Sequence, residues 1–132
     1  MIAVDTNILV RYTMRDSRHQ TKIANRFLHE HKCLVLRSVV LELVWVLSSA
    51  YNLPKKDIAI RVRQILRLST IYTEDADNIL LALRWYEEGM DFADALHLAI
   101  SIGSADGFST FDKKLANTAK RLSVKQKIYF LR

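Results

Sequence analysis

The chain has 132 residues, of which 50% are hydrophobic and 26% charged, with a formal net charge of +6 and one cysteine. This length and apolar content fit a single domain over residues 1–132 with a core of its own. The lone Cys33 excludes an internal disulfide and a cysteine-based zinc cluster, and the basic excess suits a polyanionic partner without identifying one.

The N-terminus, Met1-Ile2-Ala3-Val4-Asp5, reads as a strand that turns polar at once. It has no basic flank and no long apolar stretch, so no signal peptide is expected and a cytoplasmic protein is. A first helix follows, beginning with Ile8-Leu9-Val10. The next strand is Cys33 to Leu36, with Cys33 expected as a small buried hydrophobe. Ser38 to Leu47 reads as a helix apolar on every side, broken by Glu42 and too short to cross a bilayer. Pro54 opens a basic helix from Lys55 to Leu68. A short strand is placed at Ile71-Tyr72, then a helix from Asp75 to Glu88 that Gly89 stops. A further helix carries Ala95, Leu98, Ala99 and Ile102 on its apolar face. Gly107 marks the turn into a strand over Gly107–Ser109, and the last strand is Ile128 to Phe130. Short apolar runs alternating with amphipathic segments predict an α/β fold on a parallel sheet. With one proline and three glycines, the chain shows no linker, repeat or low-complexity tract.

Four acids fall where strands hand over to helices or on the helices themselves: Asp5, Glu42, Asp94 and Asp112. In an open parallel sheet the carboxyl ends of the strands share an edge, and ligands bind there. Carboxylates gathered at such an edge repel one another unless a cation sits among them. An all-oxygen set suits a hard metal, and the chemistry a hard metal supports best is phosphoryl transfer to water. A second role is open to several of these residues. Asp5, Asp91 or Asp94, and Asp112 each stand where a helix N-cap is expected. Glu42 has no such alternative. On a helix buried all round, a glutamate without a partner would be costly, and a metal or a wet cleft holding one explains it.

The set Asp5-Thr6-Asn7, Glu42, Asp94-Ala95-Leu96-His97-Leu98-Ala99 and Thr110-Phe111-Asp112 resembles the PIN domain, in particular the small single-domain ribonucleases that act as VapC-type toxins of prokaryotic toxin–antitoxin pairs. The resemblance runs over essentially the whole chain. It implies a three-layer α/β/α fold with a central parallel sheet, a Mg²⁺- or Mn²⁺-dependent endoribonuclease, a homodimer, and an antitoxin that occupies the active site. It makes Asp5, Glu42, Asp94 and Asp112 the catalytic, metal-site carboxylates, with Asp91 outside the core set.

Thr6, Asn7, Ser38 and Thr110 carry short polar groups beside those acids. They are candidates to orient the ligands, and equally ordinary turn or cap residues. Arg11, Arg15, Arg37, Lys113 and Lys114 are the cations expected near RNA phosphates. The basic helix from Lys55 onward reads equally as a solvated face. His19, His29, His31 and His97 show no zinc-pair spacing. The apolar helices around Glu42 and over Ile79–Tyr86 predict self-association. The competing readings are a non-catalytic PIN-like module that binds RNA or protein, and a metal-dependent DNA nuclease or phosphatase built on the same carboxylates.

Overall fold

The alternation of apolar runs resolves, in a computed structural model describing residues 1–132, into seven helices and five short strands. They form two compact units, Met1–Ala76 and Asp77–Arg132.

In the first unit the order is β1 (Ile2–Ala3), α1 (Thr6–Met14), α2 (Arg18–Glu30), β2 (Cys33–Val35), α3 (Arg37–Ser49), α4 (Lys55–Leu66) and β3 (Ile71–Thr73). The strands pair in parallel in the order β1-β2-β3, with Ile2 opposite Cys33 and Cys33 opposite Ile71. Parallel neighbours need a long crossover, and a pair of helices supplies it each time. The carboxyl ends of all three strands therefore lie along one edge. Asp5 follows β1 there, Arg37 follows β2, and Asp75 follows β3 and pairs with Arg37.

β1 stops two residues short of the expected Asp5 because that residue already belongs to the helix. Its backbone is extended, with φ −79° and ψ 157°, and its carboxylate accepts from the Thr6 N–H at 2.8 Å, which makes it the N-cap of α1. Pro54 sits at the entry to α4 as expected, and that helix ends at Leu66 with Arg67 as its C-cap. Leu9, Leu28, Val40, Leu43, Leu47, Ile58 and Ile65 are all but fully buried. Cys33 is buried too, and burial pushes its thiol pKa up.

α3 departs from the expectation of burial on every side. Val40, Leu43, Val44 and Leu47 are buried, but Ser38, Glu42, Trp45 and Ser49 form an exposed stripe at helical spacing, with Trp45 67% exposed. The helix is apolar in composition and amphipathic in placement, because a tryptophan, not a polar residue, stands on its outer face.

The second unit contains most of α5 (Ala76–Glu87), then α6 (Phe92–Ser104), β4 (Phe108–Thr110), α7 (Lys113–Arg121) and β5 (Ile128–Phe130). β4 and β5 pair in parallel through the α7 crossover, Phe108 opposite Ile128. Gly89, at φ +111°, takes the left-handed turn that ends α5, a conformation glycine adopts at little cost. Gly107 has a different reason to be glycine. A Cβ there would meet the Tyr129 ring at 2.5 Å and the Lys127 carbonyl oxygen at 3.1 Å, so the approach of β4 to β5 leaves no room for a side chain. The apolar excess of α5 is consumed by the fold. Ile79, Leu83, Trp85 and Tyr86 are buried and only Leu80 among its large apolar residues is exposed. Tyr86 and Phe92 meet edge to face at 5.7 Å.

Candidate metal centre

In the second unit three carboxylates come together at the entry turns of two helices. Asp91 is the N-cap of α6, accepting from the Asp94 N–H at 3.1 Å, and Asp94 stands in the first turn of that helix. Asp112 is the N-cap of α7, accepting from the Leu115 N–H at 3.1 Å, while its own N–H donates to Thr110 Oγ1 at 2.9 Å. The Asp91 and Asp112 carboxylates are thereby fixed by the backbone they cap, and all three stand where the helix dipole favours negative charge. A cavity of about 210 Å³ is lined by Asp91, Asp94, Asp112, Lys114 and Thr118.

The electrostatics follow from that crowding. Burial raises the pKa of Asp94, the charges of Asp91 and Asp112 raise it further, and His97, one turn along the helix, offsets part of the rise. Repulsion of this kind is what a cation relieves, and the donors are all oxygen, the chemistry of a Mg²⁺ or Mn²⁺ site. No three His, Cys, Asp or Glu side chains stand close enough to form a finished ligand cage.

The first unit presents its candidates differently. Asp5 is exposed beyond its capping bond, and Asn7 beside it is exposed as well. Thr6 is 2% exposed and its Oγ1 is buried without a hydrogen-bond partner. Glu42 and Ser38 lie on the outer stripe of α3. The burial argument for Glu42 therefore fails: its carboxylate is solvated and needs neither a metal nor an arginine to be tolerated.

Of the polar residues singled out beside the acids, Thr6 bonds the Asp5 carboxylate through its backbone N–H, and the Thr110 side chain accepts from the Asp112 backbone N–H. Of the cations, Lys114 lines the acidic cavity and Lys113 is exposed at the start of α7. Arg11 is committed to Gln20, Asp16 and Tyr51, and Arg37 to Asp75, so both serve local structure. The sequence reading left Asp91 outside the core set, yet it faces the same cavity as Asp94 and Asp112. The signal was its place at the N-cap with an acid three residues on. Thr118 was missed entirely, as a buried threonine within α7 has no sequence signature.

No curated protein matches the chain. The model of the PIN domain family does, over residues 2–121, in both units. PIN domains are in general nucleases of α/β/α architecture that use divalent metal ions, and the parallel strands, crossover helices and crowded carboxylates described above are of that kind. A match over that much of the chain is decisive for the family, and this protein is a member of the PIN domain family.

Proposed function

We propose that the protein is a Mg²⁺- or Mn²⁺-dependent endoribonuclease serving as the toxin of a toxin–antitoxin pair. The observation that carries this reading is the cavity of the second unit, lined by Asp91, Asp94 and Asp112, where burial and then the charges of the other two carboxylates raise the pKa of Asp94. The proposed metal ligands are Asp5, Glu42, Asp94 and Asp112, the first two on the resemblance alone. A metal held there would acidify its bound water and neutralise charge on the leaving oxygen of a phosphodiester.

The chain's own residues do the rest. Thr110 Oγ1 accepts from the Asp112 backbone N–H, and the Leu115 N–H in the first turn of α7 holds the Asp112 carboxylate. The Asp91 cap does the same for the turn that carries Asp94. Lys114 places a cation beside the acids, where a scissile phosphate would bring negative charge. The net charge of +6 supports RNA as the polyanion. The 67% exposed Trp45 supports a protein-covered α3, by a second copy in a homodimer or by the antitoxin. No helix is long and apolar enough to cross a membrane, and a cytoplasmic site of action is part of the proposal.

The test is cleavage of single-stranded RNA, DNA and a phosphomonoester with Mg²⁺, with Mn²⁺ and with EDTA. Cleavage of RNA alone, stopped by EDTA, is the expected result. DNA or monoester turnover would move the protein to another hydrolase class, and no turnover at all would leave a binding module. Growth arrest on expression, relieved by a neighbouring gene, tests the toxin role separately.

A further inference from the structure

The first unit holds a cavity of a different kind. It measures about 370 Å³ and is lined by Tyr12, Thr13, Arg15, Arg61, Gln64, Arg67 and Leu68, and no carboxylate contributes to its wall. Two arginines reach it from helix ends and a third from within α4. Arg15 is the C-cap of α1, held in the left-handed conformation at φ 55°, and Arg67 is the C-cap of α4. Arg61 is the fixed member. It donates to the Thr13 carbonyl at 2.6 Å and to Thr13 Oγ1 at 3.2 Å, tying the end of α1 to α4, and it pairs with Asp57 on its own helix.

Arg15 and Arg67 make no ion pair, are exposed, and bring uncompensated positive charge to one concavity. Part of that charge answers the negative helix C-termini, but two capping arginines directed at one cavity of this volume exceed what capping needs. The guanidinium fork matches phosphate oxygens, the Gln64 amide and Tyr12 hydroxyl add hydrogen-bonding groups, and the Tyr12 ring offers a base a stacking face.

We infer that this arginine pocket binds a backbone phosphate of single-stranded RNA, at a subsite of the first unit set apart from Asp5. The inference rests on the endoribonuclease reading and adds to it where part of the substrate lies. From Asp5 to Arg15 the chain runs the length of α1, so the pocket lies roughly 15 Å from the Asp5 end at 1.5 Å per helical residue. A trinucleotide held at the Asp5 end would not fill both, whereas a longer strand would.

The experiment measures binding of a labelled single-stranded RNA and of a trinucleotide in EDTA across a salt series, for the wild type and for Arg15→Asn/Arg67→Gln. Asparagine tolerates the left-handed backbone at position 15, so the fold is expected to persist. If the double variant does not fold, Arg67→Gln alone carries the test. The expected result is affinity for the longer RNA lower on the order of tenfold, with the slope of log K against log salt shallower by about 1.4, or about 0.7 for the single variant. The deficit should be smaller on the trinucleotide. Unchanged affinity and slope in a variant of a wild type that cleaves RNA would overturn the pocket and leave the nuclease reading standing. Unchanged RNA binding with loss of poly-glutamate binding would assign the pocket to an acidic protein and overturn the inference. A wild type that neither binds nor cleaves RNA would remove both.

Discussion

The carboxylates of the two units differ in what their charge does to the fold. In the first unit, the acid whose ionisation is perturbed is Asp16, and the shift is downward: the Tyr51 hydroxyl donates to it at 2.6 Å and Arg11 lies at 3.1 Å, an arrangement that rewards the ionised form. In the second unit, the perturbed acid is Asp94, and the shift is upward, because burial and two neighbouring carboxylates penalise the ionised form. The same side chain is thus a structural tie in one place and a stored repulsion in the other. A repulsion that a fold compensates only in part, as His97 and Lys114 do here, marks a place where a ligand of opposite charge is accommodated.

The comparison is most open to attack through catalysis. Asp94→Asn and Asp112→Asn should each lower RNA cleavage by on the order of 10²-fold or more, with the capping bond of Asp112 preserved because asparagine caps as well as aspartate. Asp5→Asn is the control from the other unit. It also keeps its cap, so a collapse of activity in that variant with an intact fold would add Asp5 to the machinery. Full activity would leave it a cap and nothing more.

Metal-free melting sharpens the contrast. The folded-state pKa of Asp94 lies above its unfolded value, so its favourable contribution is complete below the ordinary carboxylate range and is lost as pH rises through the raised value. At neutral pH, Asp94→Asn should therefore melt a few degrees higher than the wild type without metal, the gap closing in acid. Mn²⁺ should stabilise the wild type more than the variant. A variant that melts lower at neutral pH would mean that the carboxylate holds a structural partner.

Tyr51→Phe should show the opposite pH dependence. The folded-state pKa of Asp16 is depressed, so its contribution is present above the ordinary carboxylate range and disappears as pH falls through the depressed value. The variant should melt lower than the wild type at neutral pH and converge with it in strong acid, and parallel curves over the whole range would count against the tie. The smallest effect belongs to Glu42. An exposed glutamate can be neutralised at little cost, so Glu42→Gln should change unfolding free energy by no more than about 0.5 kcal/mol, and any loss of cleavage would then report function alone.

Much of this was legible in the residues. Every strand was placed within two residues of where it lies, because short β-branched runs bounded by turn residues have few other uses. The Asp5, Asp91 and Asp112 caps were readable for the same local reason. Glu42 was misread because composition counts apolar residues without recording which way they face: Trp45 filled the outer stripe of α3 and concealed its amphipathic character. The arginine pocket was legible only in part. Arg15 was expected near RNA phosphates, whereas Arg61 and Arg67 read as a solvated helix face, and nothing in the residues announces the Arg61 bonds to Thr13 that tie the end of α1 to α4. The convergence of Asp91, Asp94 and Asp112 was half legible, since the sheet-edge argument supplied the direction and the cap geometry supplied the position.

The contact between Gly107 and Tyr129 couples two positions that are otherwise unremarked. Alanine at 107 would press its methyl group into the Tyr129 ring, an overpacking that costs about 1–3 kcal/mol. Trimming the ring, as in Tyr129→Val, removes the nearer clash and leaves the 3.1 Å approach to the Lys127 carbonyl as the residual cost. The two substitutions should therefore be non-additive, with the second rescuing part of the first. Among relatives of this chain, a side chain at 107 is to be sought where the residue at 129 is small.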